Sequence, residues 1–172
     1  TGTYGQLFVN SSTGAYRFIP DDTAVEALTS TVTEDFTLAF NDGTETASQT
    51  LTTTIQGVND TPTLSALTGM TFNDTDASNT FNNVTGTADG DDRDTGASLA
   101  YNLPDGSSDT SQSGYDLAEA GSYGTLYLNQ SSGAYLYIPD SNAIDSSRSS
   151  DTDTFDIRVS DGTLSETQTL TA

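Results

Sequence analysis

The feature that most constrains this chain is a second copy of part of itself. The opening run Gly2-Thr3-Tyr4-Gly5-Gln6-Leu7, leading to Asn10, returns as Gly121-Ser122-Tyr123-Gly124-Thr125-Leu126, leading to Asn129. The run Gly14-Ala15-Tyr16, leading to Ile19-Pro20-Asp21, returns as Gly133-Ala134-Tyr135, leading to Ile138-Pro139-Asp140. The offset of 119 residues holds without a gap from the Gly2–Gly121 pair to the Thr52–Thr171 pair, with 23 identities in 51 aligned positions. Solenoid repeats recur every ~20–50 residues, so a period of this length is that of a whole domain. The chain is a tandem array of domains.

Within a copy the apolar residues alternate. Leu7 and Val9 fall on one side of a strand, Tyr16 and Phe18 on one side of the next, and the Gly14 loop between them reads as a β-hairpin. Pro20 closes the second strand, since proline cannot donate to a ladder. One helical turn is expected over Ala24–Leu28. Phe36 to Phe40 then reads as a strand with both aromatics on one face, Asn41-Asp42-Gly43-Thr44 as a turn, and Leu51, Thr53 and Ile55 as the face of a long final strand. Beyond the copy, short strands are expected between Leu64 and Phe72, at Phe81–Thr87 and at Ser98–Leu103. An acidic loop lies at 88–96 and a polar loop at 104–114.

Lys+Arg is 4 against Asp+Glu 25, a formal charge of −21. Such a chain repels phosphate backbones and anionic lipid, so nucleic acid and membrane surfaces are poor partners and no nucleic acid is expected to bind. No apolar run approaches the ~20 residues that cross a bilayer, so no membrane insertion is expected. With no Cys and no His, disulfides, thiolate or imidazole metal sites, and Ser-His or Cys-His nucleophiles are excluded. Paired carboxylates are inevitable among so many acids, but none sits in a recognisable motif, and the chain is read as not an enzyme. The acids are 20 Asp and 5 Glu; Asp serves turns, solubility and hard cations alike.

The stretch Gly57-Val58-Asn59-Asp60-Thr61-Pro62 ends the first copy and precedes the second unit. Residues 1–58 match only the C-terminal half of a repeat and are expected to be incomplete alone. Residues 59–62 read as a linker and residues 63–172 as a second, nearly complete repeat. The strands completing residues 1–58 are expected from upstream sequence or from another molecule by exchange; a domain split by an insertion is the competing reading.

The pattern Gly-x-Tyr-Gly-x-Leu, Gly-Ala-Tyr, Ile-Pro-Asp, Asp-Gly-Thr and Gly-Val-Asn-Asp-Thr-Pro resembles the VCBS and cadherin-like repeats of large bacterial surface adhesins of the RTX type, secreted by type I systems. The resemblance covers essentially the whole chain. It implies an all-β fold of tandem Greek-key β-sandwich domains, cadherin- or Ig-like, with about seven strands per repeat. It also implies an extracellular, cell-surface location in a biofilm-associated stalk whose partners are neighbouring repeats of the same polypeptide.

The resemblance implies Ca2+ as cofactor. Asn59 and Asp60 with Pro62 resemble the Asn-Asp…Pro linker of cadherin-type joints. Asp92-Arg93-Asp94-Thr95-Gly96, followed by Tyr101, resembles the Asp-x-Asp-x-Gly…Tyr loop, and Asp161-Gly162 resembles the Asp closing the site. Asp89 and Asp91 are extra acids in the same loop, and Asp89 joins the candidate ligands. The Glu-bearing motifs that animal cadherins place on the preceding domain have no counterpart in residues 1–58. Calcium takes roughly 6–8 oxygens, which carboxylates, Asn and backbone carbonyls supply. Against this stand a plain turn at Asn59–Pro62, a solvated loop at 89–94 and simple hairpin turns at Asp42-Gly43 and Asp161-Gly162. The function expected is a structural extender of an extracellular adhesin with calcium rigidifying the interdomain joint. The alternative is a ligand-binding adhesion module for a glycan or protein, with loop 104–114 as its candidate surface.

Overall fold

Two hairpins carry each copy of the repeat, and their turns are written in the repeated residues. The computed structural model describes residues 1–75 and 77–172. They form antiparallel sheets throughout and divide into two units, Thr1–Asp60 with Arg93–Gly96, and Thr61–Asp92 with Ala97–Ala172. The protein is all-β.

In the first unit, β1 (Gly5–Val9) and β2 (Tyr16–Pro20) pair with Gly5 opposite Pro20 and Leu7 opposite Phe18. The loop closes because the Asn10 side-chain oxygen accepts from the Ser12 and Thr13 amides at 2.9 and 3.0 Å, an Asx turn. Gly14 then takes φ +73°, a left-handed conformation that side chains disfavour. One helical turn, α1 (Asp22–Glu26), follows, capped by the Asp21 carboxylate, which accepts from Ala24 N–H at 3.2 Å. β3 (Val32–Asn41) and β4 (Thr46–Ile55) form the second hairpin, with Phe36 opposite Leu51. Phe18 and Phe36, one from each hairpin, meet at 5.8 Å between ring centroids.

The second unit contains β5 (Thr63–Leu64), β6 (Val84–Thr87), β7 (Gly90–Asp91), β8 (Ala100–Asn102), β9 (Ser107–Ser108), β10 (Leu117–Ala120), β11 (Gly124–Leu128), β12 (Ala134–Pro139), α2 (Ser141–Ser146), β13 (Thr154–Ser160) and β14 (Ser165–Thr171). The larger sheet runs β6-β12-β11-β10-β9, a second sheet runs β14-β13-β8, and β5 pairs with β7. The hairpins β11–β12 and β13–β14 repeat the first unit's register: Gly124 faces Pro139, Leu126 faces Tyr137, and Phe155 faces Leu170. The ring pair returns too, Tyr137 to Phe155 at 5.8 Å. Leu117, Leu126, Leu128, Tyr135 and Tyr137 of the larger sheet share one core with Tyr101, Phe155, Ile157, Val159 and Leu170 of the second sheet. Inward residues at every second position of two sheets make a sandwich.

Several elements differ from expectation. In the stretch expected to hold short strands from Leu64 to Phe72, only Thr63–Leu64 is strand; Leu67, Met70 and Phe72 pack against the core outside any strand, with a backbone bond from the Met70 amide to the Thr171 carbonyl at 2.8 Å, so their apolar spacing reports burial rather than a ladder. The strand expected from Phe81 begins at Val84, because the Phe81 amide donates to the Ser141 hydroxyl at 3.2 Å instead of to a neighbouring strand. The strand expected at Ser98–Leu103 narrows to Ala100–Asn102. The 104–114 segment is partly ordered as strand, Ser107 and Ser108 pairing with Ala118 and Leu117. Among the described residues no helix is long and apolar enough to cross a membrane.

Candidate metal centre

The six candidate ligands divide between the units. Asn59, Asp60 and Asp94 belong to the first; Asp89, Asp92 and Asp161 belong to the second. In the first unit the structure brings Asp60 and Asp94 together: the Asp60 amide donates to an Asp94 carboxylate oxygen at 2.7 Å. Asp94 is buried, and a buried carboxylate needs such donors. Segment Arg93–Gly96 is held in this unit by two further contacts. The Thr95 amide donates to the Ala27 carbonyl at 3.1 Å, and Arg93 pairs with Glu26 at 3.3 Å, both side chains well exposed, an ion pair of little energetic weight. Asn59 donates its side-chain N–H to the Asp60 carbonyl at 3.1 Å. Gly57 runs so close to the Leu28 backbone that a Cβ would collide there, which is why glycine stands at that point of the junction.

In the second unit Asp89 has its side chain exposed and accepts from the Ser65 amide at 2.9 Å through its backbone carbonyl. Asp92 is half-buried. Asp161 is a turn residue: one carboxylate oxygen accepts from the Thr163 and Leu164 amides at 2.6 and 2.7 Å, ahead of Gly162 at φ +98°. Its copy Asp42 does the same with Thr44 and Glu45, and those amides, Glu45 foremost, hold the Asp42 carboxyl below the usual range. The donors present, carboxylate, amide and carbonyl oxygens, are of the type a hard dication takes. Among the described residues no three His, Cys, Asp or Glu side chains are gathered into a metal-holding group.

A pair of residues that the sequence reading passed over performs the same task in both copies. The Asp153 carboxylate is buried and accepts from the Ser122 and Tyr123 amides at 2.9 and 2.7 Å. At the same offset, the Glu34 carboxylate accepts from the Thr3 and Tyr4 amides. The carboxylate ties the turn before the first hairpin to the start of the second. Its signal was a carboxylate in both copies two positions before the shared Phe36 and Phe155. The copies' Ile-Pro-Asp ends likewise serve as helix caps, Asp140 accepting from Asn142 and Ala143 at 3.0 and 3.1 Å.

The second unit also holds a cavity of about 760 Å³, lined by Phe72, Asp74, Tyr123, Ile144, Arg148 and Asp151 among others. Asp151 accepts from the Ser149, Tyr123 and Ser147 hydroxyls at 2.7, 2.9 and 3.3 Å. These bonds, Ser149 first, draw its carboxyl below the ordinary value.

The fold defines an all-β protein of two units sharing one capped double-hairpin scaffold. No protein-family model matches the chain, and no curated protein matches its sequence.

Proposed function

We propose that this chain is a spacer of the VCBS and cadherin-like kind from an extracellular bacterial surface protein. Its Greek-key sandwiches extend a stalk, and calcium stiffens the junction between consecutive repeats. The observation that carries this reading is what the two copies share. The positions held in common include turn caps (Asn10 and Asn129, Asp42 and Asp161), helix caps (Asp21 and Asp140) and facing core residues (Phe36 with Leu51, Phe155 with Leu170). Repetition has therefore kept a scaffold, which is what an extending element needs.

Calcium at extracellular strength, an affinity of about 10⁻⁴–10⁻³ M, leaves such a junction loose inside a cell and firm outside it. Small-angle scattering of the whole chain in millimolar calcium and in EDTA tests the reading. A narrower distribution of shapes with calcium is expected; unchanged scattering together with unchanged melting overturns the calcium part. Asp60→Ala removes a carboxylate but keeps the backbone N–H that binds Asp94. The variant is expected to lose the scattering response to calcium while melting like the parent in EDTA.

The second reading, a glycan- or protein-binding module, is favoured by the cavity beside Phe72 and Tyr123, where aromatic faces meet hydroxyls and carboxylates. Glycan-array binding that disappears on Tyr123→Ala would select it over the spacer.

A further inference from the structure

The same hairpins are covered in one unit and bare in the other. In the second unit β12 pairs with β6, β11 with β10, and β13 with β8. In the first unit the equivalent strands β2, β1 and β3 pair only within their own hairpins among the described residues. Burial follows the pairing. Tyr135 is 7% exposed and its copy Tyr16 58%; Leu128 is 0% and Val9 46%; Val159 is 0% and Phe40 53%. Such a face combines apolar side chains with open strand edges, whose backbone donors and acceptors are a template for added strands.

We infer that the first unit is an acceptor for the first half of a like repeat, a segment with the chemistry of residues 63–120. The second unit specifies the register by offset. A strand like Val84–Thr87 adds along β2, with Val84 opposite Phe18 and Gly86 opposite Tyr16, as at Tyr137 and Tyr135. A strand like Ala100–Asn102 adds along β3, placing its tyrosine opposite Phe40, as Tyr101 lies opposite Val159. A second copy of this chain is a poor donor. In lending residues 63–120 it would bare its own Leu126, Leu128, Tyr137 and Phe155, all buried now, and lose as much as the acceptor gains.

The test adds a synthetic peptide of residues 63–120 to the whole 172-residue chain and follows titration calorimetry and amide hydrogen exchange. The expected result is one-to-one binding with new protection at residues 16–20 and 37–41. Binding should fall at least tenfold with Phe40→Asp in the chain and, separately, with Tyr101→Asp in the peptide. Absence of binding overturns the inference. So does binding without new protection at those two edges, which would mean exchange into the second unit. Concentration-dependent dimers of the chain alone that carry the same protection also overturn it, since the occupant would then be a second copy. None of these readouts involves calcium, so this inference stands or falls apart from the spacer reading.

Discussion

Leu128→Ala and Val9→Ala truncate an aliphatic side chain to Cβ at equivalent positions of the two copies, and the structure assigns them different costs per carbon removed. Leu128 is fully buried among the core residues of the second unit, while Val9 lies half in water. Truncating Leu128 removes three carbons at about 0.8 kcal/mol each, or ~2.4 kcal/mol of transfer free energy. The cavity left between two packed sheets brings the total to about 3–4 kcal/mol. For a unit of roughly 100 residues, at ~4–8 °C per kcal/mol, the melting midpoint of the second unit falls by at least ~12 °C. Val9→Ala removes two carbons that are about half hydrated already, and its cost stays at ~0.8 kcal/mol. Scanning calorimetry with near-ultraviolet circular dichroism of the tyrosines reads both variants; the chain has no Trp to interfere. Equal shifts for the two variants, or a shift below ~2 °C for Leu128→Ala, would refute the assignment of covered and bare faces.

Gly133→Ala and Gly14→Ala form a second matched pair. Both glycines have positive φ, which costs a side chain ~1–2 kcal/mol. A Cβ at Gly133 would also strike the Ala88 carbonyl and the Tyr101 ring, whereas nothing lies within 4 Å at Gly14. Gly133→Ala is therefore expected to lower the melting midpoint well beyond Gly14→Ala, and equal effects count against the packing described. Glu119 supplies a pH dependence. Desolvation first, then the charges of Asp105 and Asp156, raise its carboxyl above the ordinary value. A raised folded-state pKa gives stability that is complete below the unfolded value and is lost as pH rises through the folded one. Glu119→Gln is thus expected to raise the midpoint at pH ~7 and to match the parent below pH ~4, where the unfolded carboxyl is also protonated. A constant gap across that range would assign the effect to packing instead.

What was legible in the sequence depended on how local its cause was. The hairpin at Leu7–Phe18 was readable because alternation and a Gly14 turn act within a few residues, and the pairing register follows from that turn. The all-β class followed for the same reason. The stretch from Leu64 to Phe72 misled because Leu67, Met70 and Phe72 are apolar for the sake of a core assembled from distant strands, and pairing partners cannot be read from spacing. The two-residue strand at Ser107–Ser108 has no apolar signal at all; it exists because β10 offers an edge.

At the candidate site the pairing of linker with acidic loop was readable only as far as the two segments. Sequence resemblance placed Asn59-Asp60 beside Asp92–Gly96, and the contact that the first unit contains is the backbone amide of Asp60 on the Asp94 carboxylate. Across 30 residues or more of sequence, no local side-chain pattern encodes which main-chain amide will be the donor. The same limit hid the Asp153 and Glu34 carboxylates, whose partners are also backbone amides. Many of this chain's carboxylates therefore bind the chain itself: Asp21, Asp42, Asp140 and Asp161 each accept from turn or cap amides. An Asp-rich composition thus has a structural cause that needs no cation, since short carboxylates close the Asp42 and Asp161 turns and cap both helical turns. That cause separates the acids by what a cation would contribute. On the spacer reading, chelation would leave the melting supported by Asp42 and Asp153 unchanged, while the calcium response would pass through the candidate ligands Asn59, Asp60, Asp89, Asp92 and Asp94.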